Sequence, residues 1–325
     1  MKPEFPAEFL AGFQADIQGG SLAGFQADIQ GGSLAGFQAD IQGGSLAGFQ
    51  ADIQGGSLAG FQADIQGGSL ADTLAGVPAE SLVRFRLDIE YAGEGFAGWQ
   101  RQASGTTLQG VLEDALARLC GHPVTLMGAG RTDAGVHALG QVAHFDTCRL
   151  RSEKVLVRAL NSTTPPAVTV LRAVQVPRAF HARYSARYRE YFYRISDRET
   201  PPALERGRLW HVPFALAEDK MRRAAQVLLG THDFSAFRAA KCQAKSPIRI
   251  VSRMEIQRLE KEIRIVMGAN SFLHHMVRNI VGSLVLVGQG KESVAWFARI
   301  FANRDRTRAG ATAPPQGLYL NRILY

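Results

Sequence analysis

The chain has 325 residues, 46% hydrophobic and 20% charged, the composition of a globular protein with material for one large core or two smaller ones. Its net charge of +8 hides an asymmetry: of 37 basic and 29 acidic side chains, residues 1–80 hold one and nine, and so basic a remainder points to a polyanionic partner. The longest apolar stretch, residues 280–288, is too short to span a bilayer, and the first residues lack the charged and apolar blocks of a secretory signal. Cys120, Cys148 and Cys242 are odd in number and form no Cys-x-x-Cys pair, so reduced thiols in a cytoplasmic protein are expected, without disulfide or structural zinc.

Residues 10–69 are five unchanged copies of Leu-Ala-Gly-Phe-Gln-Ala-Asp-Ile-Gln-Gly-Gly-Ser, starting at Leu10, Leu22, Leu34, Leu46 and Leu58. Each copy offers only Leu, Phe and Ile as large apolar groups, and Gly-Gly-Ser breaks any helix, so one unit buries too little to offset its ordering entropy. Residues 1–80 are therefore expected to be a flexible, mildly acidic extension without catalytic role, with stacking into a small β-solenoid as the alternative. Because the next methionine after Met1 is Met127, a natural start at a non-Met codon near Val77 or Val83 is expected, with the repeat dispensable or untranslated.

From Leu82 the pattern changes. Val83, Phe85, Leu87, Ile89 and Tyr91 alternate with charged residues, the period of a half-buried strand. Thr107 opens a helix with Leu108, Val111, Leu112, Ala115, Leu116 and Leu119 on one face, stopped by Gly121-His-Pro123. Strands are expected at 124–127 and 141–145, a helix at 152–160 and a strand at 168–176. The second half offers a strand at 187–195, a helix at 217–229, strands at 248–258 and 262–267, helices at 271–287 and 293–302, and a strand at 318–324. Two successive strand-and-helix units joined near 177–185 predict an α+β protein of two similar lobes, residues 81–185 and 186–325.

The most informative segment is Gly128-Ala-Gly-Arg-Thr-Asp-Ala-Gly-Val-His-Ala138, which sets one carboxylate, Asp133, among small residues two positions after Arg131. Small neighbours let backbone and a bulky substrate approach, and a loop between strands is where catalytic groups often lie. An ordinary Asp turn is the plain alternative. The whole run resembles the catalytic motif of the TruA-type tRNA pseudouridine synthases. Further segments carry the same resemblance over residues 82–325: Glu90-Tyr-Ala-Gly93 with Phe96-Ala-Gly-Trp-Gln-Arg-Gln102, Phe180-His-Ala-Arg183, Arg189-Glu-Tyr-Phe-Tyr193, Gly230-Thr-His-Asp-Phe-Ser-Ala-Phe237, His274-His-Met-Val-Arg-Asn-Ile-Val-Gly282 and Gly317-Leu-Tyr-Leu320.

The resemblance implies two lobes, each an antiparallel sheet with helices on one face, around a basic central cleft. It also implies a homodimer, no cofactor, and isomerisation of uridine at nucleotides 38–40 of the tRNA anticodon stem-loop. Asp133 is then the catalytic residue, Arg278 its ion-pair partner, and Tyr191 the aromatic that stacks on the flipped uracil and serves in proton removal at C5. Arg131 enters the RNA and holds the target nucleotide out of its stack, with a second counterion for Asp133 as the alternative. Arg183, Arg187, Arg189 and the segment 241–247 with Lys245 are candidate phosphate contacts. Tyr193 is expected to pack, and His274-His275 lacks the i,i+4 spacing of a helical metal pair, leaving packing or RNA contact. Two departures from the family pattern are Ala92 after Glu-Tyr, and Asn161-Ser-Thr-Thr164, which lacks the usual Leu and Asp. The rival reading is an RNA-binding protein of this fold without catalysis, against which the presence of Asp133, Arg131, Tyr191 and Arg278 argues.

Overall fold

The computed structural model describes residues 82–148, 151–260 and 262–325, together with one short strand in each of the five repeats. Those strands, β1 (Gln14–Gln18), β2 (Gln26–Gln30), β3 (Gln38–Gln42), β4 (Gln50–Gln54) and β5 (Gln62–Gln66), use the same five residues of every copy. They pair in parallel and in register, β3 with β1 and β5, and β4 with β2. The flexibility expected of the extension falls on residues outside the described ones. Residues 1–81 and 82–325 are separate units.

In the second unit, β6 (Val83–Tyr91) buries Phe85, Leu87, Ile89 and Tyr91, as their alternation predicts. Helix α1 (Leu108–Cys120) starts where the Thr107 side chain accepts from Gly110 N and stops at left-handed Gly121. Before the Asp133 loop only β7 (Met127–Gly128) forms, whereas β8 (His137–Thr147) begins at 137 and not at 141. Next come α2 (Glu153–Thr163), β9 (Val168–Val176), β10 (Tyr188–Ser196) and β11 (Trp210–His211). Helix α3 (Glu218–Ala225) tightens into a 3-10 turn at Gln226–Leu228, shorter than the 217–229 expected. The chain continues through β12 (Gly230–Asp233), β13 (Ile248–Leu259) and β14 (Glu262–Ala269). Helix α4 (Met276–Gly288) starts at 276 instead of 271, and α5 (Val294–Asn303) and β15 (Leu318–Leu324) close the unit.

Among the described residues of this unit, five helices accompany one ten-stranded sheet in the order β12-β13-β14-β10-β15-β8-β6-β9, with β11 on β10 and β7 on β8. The class is α+β, and the sheet is mostly antiparallel. Its two exceptions are β10 with β11, and β15 with β8. The second exception is the joint between the earlier and later halves, where Tyr319 pairs with His137 and Leu320 with Ala138. Beside the joint, His137 Nδ1 accepts from Gly93 N at 3.1 Å and its Nε2 therefore donates to Gly207 O at 3.0 Å, while the ring stacks on Tyr319. Burial pushes this imidazole below its usual range, so the neutral tautomer that makes both bonds is the stable one.

Side chains alternate across β10. Tyr191, Tyr193 and Ile195 belong to the main core, while Glu190 lies on the opposite face, only 1% exposed. Glu190 accepts from Tyr188 Oη at 2.8 Å, Arg253 Nη1 at 2.8 Å, Asn321 Nδ2 at 2.7 Å and Arg322 Nη2 at 3.1 Å, tying β10 to β13 and β15. Burial alone would raise its carboxyl, but these four bonds outweigh burial and hold it at about 2. A depressed carboxylate contributes stability that is full above its unfolded value and lost as pH falls toward the folded one. Glu190→Gln is therefore expected to cost about 2 kcal/mol at neutral pH, with the solvent-facing ends of the arginines reducing the larger figure the shift alone would give. Urea unfolding of the two proteins should show the gap closing as pH drops from above 4.5 toward about 2.

Candidate active site

Between β7 and β8 the chain has few regular bonds of its own, and neighbours fix its shape. Ala129 N donates to Val142 O at 2.8 Å, Gln141 Nε2 to Gly130 O at 2.7 Å and Trp99 N to Thr132 O at 3.0 Å. Beneath the loop, the buried Tyr91 hydroxyl meets Thr132 Oγ1 at 2.7 Å. Gly98 has φ +106°, and a Cβ there would sit 2.8 Å from Thr132 O, so only glycine lets the 96–102 segment press against the loop. So braced, the loop turns Asp133 outward with its side chain 25% exposed.

Arg278 comes to it from the first turn of α4. Its Nη1 donates to Asp133 Oδ2 at 2.7 Å while its Nε donates to Ala313 O at 2.8 Å, which fixes the guanidinium plane. The 311–313 segment can lie this close because residue 282 is glycine: a Cβ at Gly282 would stand 1.8 Å from Ala311 O. Two imidazoles complete the surround, His274 Nε2 at 3.3 Å from Oδ1 and His275 Nε2 at 3.2 Å from Oδ2. The sequence reading missed this pair's place. A helix from residue 271 would have splayed the two side chains, whereas α4 begins only after them and His275 has φ 60°.

Tyr191 is nearby and 8% exposed, its ring edge-on to Phe272 with centroids 5.0 Å apart. A Cβ on Gly130 would lie 3.5 Å from the Tyr191 hydroxyl, which places that hydroxyl against the Asp133 loop. Burial pushes the phenol up to about 12, with the Asp133 charge adding to the rise and Arg189 opposing it. It is therefore an un-ionised phenol at neutral pH. Tyr193 packs, fully buried, with its hydroxyl donating to Pro314 O at 2.7 Å.

Of the expected phosphate contacts, Arg183, Arg187 and Lys245 are exposed, as is Arg131, whose Nη1 reaches Gln243 Oε1 at 3.5 Å. Arg189 is placed otherwise. It is 9% exposed, and its guanidinium donates to the carbonyls of Ala129, Arg183, Ala186 and Asn270. Committed to backbone on four sides, it staples the loop and leaves no fork for a phosphate, correcting the expectation for that residue.

Asp133, His274 and His275 bring three donor atoms within 4.8 Å of one another, the group among the described residues that could hold a metal ion. Arg278 already occupies Oδ2, and a guanidinium at that distance opposes a dication. The arrangement suits a carboxylate held in place by Arg278.

A family model described as tRNA pseudouridine synthase matches residues 89–185 and 224–325. The chain belongs to the tRNA pseudouridine synthase family. It is thus an enzyme of the isomerase class. Among its relatives, the protein named tRNA pseudouridine synthase A of Rhodospirillum rubrum is 48% identical over 245 residues, covering 75% of this chain and 88% of that one. Its namesake in Paramagnetospirillum magneticum is 51% identical over 243 residues, 74% of this chain and 95% of that one. A third, from a Methylobacterium species, is 49% identical over 243 residues, 74% and 97% respectively. The family match starts at residue 89, beyond the repeats. In this synthase the brace under the Asp133 loop should be costly to disturb: Gly98→Ala is expected to lower unfolding free energy by about 2–3 kcal/mol, measured by urea titration.

Proposed function

We propose that this enzyme converts uridine to pseudouridine in tRNA, at nucleotides 38–40 of the anticodon stem-loop, using Asp133 without a cofactor. The observation that carries the reading is the 2.7 Å contact between Asp133 and Arg278, which joins the two motifs of greatest resemblance across 145 residues of chain. The relatives' names supply the substrate class.

The reaction cleaves the C1′–N1 bond, turns the base and forms C1′–C5, and the hydrogen lost from C5 is balanced by one gained at N1. An ionised carboxylate assists either by covalent attack or by stabilising a cationic sugar. Arg278 fixes the Asp133 carboxylate while substrate displaces water. Tyr191 offers a flat, buried wall for the uracil. Being un-ionised, its hydroxyl acts as a donor or relay toward the base rather than as a free phenolate. Base chemistry requires the nucleotide to leave its stack, at a cost of a few kcal/mol. Arg131, exposed at the lip of the loop and lightly tethered to Gln243, is free to enter the RNA and occupy the space left behind. Arg183, Arg187 and Lys245 contact the phosphates. The same reading includes two similar lobes flanking a basic cleft, a homodimer and a cytoplasmic location.

Tritium release from tRNA labelled at C5 of uridine tests the assignment. Wild type should release tritium and Asp133→Asn should not; release by the variant would remove the role of Asp133, and release by neither would favour a binding protein. Base-resolved pseudouridine mapping locates the modified nucleotides. Arg131→Ala should lower kcat by about tenfold or more with little change in the tRNA Kd. A pure loss of affinity would make Arg131 a phosphate contact instead.

A further inference from the structure

We propose that His275 is a positioning residue for Asp133: with Arg278 it holds Oδ2, so that Oδ1 is the oxygen presented to the flipped nucleotide. The inference rests on the reading of Asp133 as the catalytic carboxylate. Its starting point is the backbone. His275 sits in the left-handed region at φ 60° immediately before α4, a conformation that glycine or asparagine adopts at lower cost. The position caps α4, yet the His275 side chain makes no capping hydrogen bond, so helix initiation does not account for histidine there. The side chain goes to Asp133 instead, with Nε2 at 3.2 Å from Oδ2 and its ring 4.0 Å from that of His274.

The two carboxylate oxygens are unequally held. Oδ2 has Arg278 Nη1 at 2.7 Å and His275 Nε2 at 3.2 Å, from side chains that are 13% and 29% exposed. Among the described residues Oδ1 has His274 alone, at 3.3 Å and 41% exposed, the group an incoming nucleotide would displace. Burial holds the His275 imidazole below its usual range although Asp133 pulls it upward. The ring thus stands against Oδ2 in close contact without the alignment of a hydrogen bond, and together with Arg278 it confines that oxygen. Strain at residue 275 is thus exchanged for orientation at residue 133, the pattern expected where a local conformation serves function.

Backbone strain and orientation pull in opposite directions, which separates them experimentally. His275→Gly relieves the left-handed backbone and removes the imidazole. It should match or exceed wild type in Tm while kcat for tritium release falls by about tenfold or more, with KM and tRNA Kd within about twofold. His275→Gln keeps the strained backbone and an amide N–H at similar reach. It should recover part of kcat while melting below the glycine variant. His275→Asn, which also tolerates the left-handed region, replaces the glycine variant if the helix start loosens. A kcat within about twofold of wild type for the glycine variant, a kcat that follows Tm across the set, or a loss confined to KM and Kd would each overturn the proposal. Activity surviving in Asp133→Asn would remove its premise and is read separately.

Discussion

The contact between Asp133 and Arg278 is the constraint around which the second unit is arranged. Both groups lose part of their hydration, with side chains 25% and 13% exposed, and a pair taken this far from water contributes little net stability. What it supplies is position. The carboxylate is on an irregular loop and the guanidinium on a helix, so each must be fixed independently before they can meet. The loop is fixed by backbone bonds from β8 and from Trp99, and by the four-carbonyl grip of Arg189. The helix is fixed by glycine-mediated contact with the 311–313 segment and by the bond from Arg278 Nε to Ala313 O.

A deeper layer carries these supports. The loop belongs to the half before residue 177 and the helix to the half after it, so their separation depends on how the halves share one sheet. That sharing runs through the short parallel contact of β15 with β8, reinforced by His137 bonding to Gly93 and Gly207 and stacking on Tyr319. On the opposite face of the sheet, Glu190 gathers donors from three strands around β10, the strand that bears Tyr191. A polar cluster satisfied this fully resists shear between strands and so keeps Tyr191 in place on the central strand.

The chemistry proposed here also explains why basic groups gather around one carboxylate. Arg278 and two imidazoles surround one acid, and exposed arginines and a lysine complete the setting in a chain whose basic excess lies wholly after residue 80. A polyanion can approach such a surface. The 12-residue repeats fall outside the family match.

Much of this was legible in the chain itself. Alternation marked β6, Thr107 and Gly121 bounded α1, and the small residues around Asp133 singled out the loop, because strand period, capping and turn chemistry are local properties. The resemblance of separate motifs named Arg278 and Tyr191 as partners. Arg189 and the two histidines could not be read this way. Whether an arginine meets phosphate or four backbone carbonyls depends on what stands around it. Whether adjacent histidines diverge or converge depends on a helix starting at residue 276 and not at 271. By itself, the sequence determined the elements and the loop that carries the acid. Only the tertiary structure decided which side chains stand against that acid, because those distances arise where segments 145 residues apart are packed together.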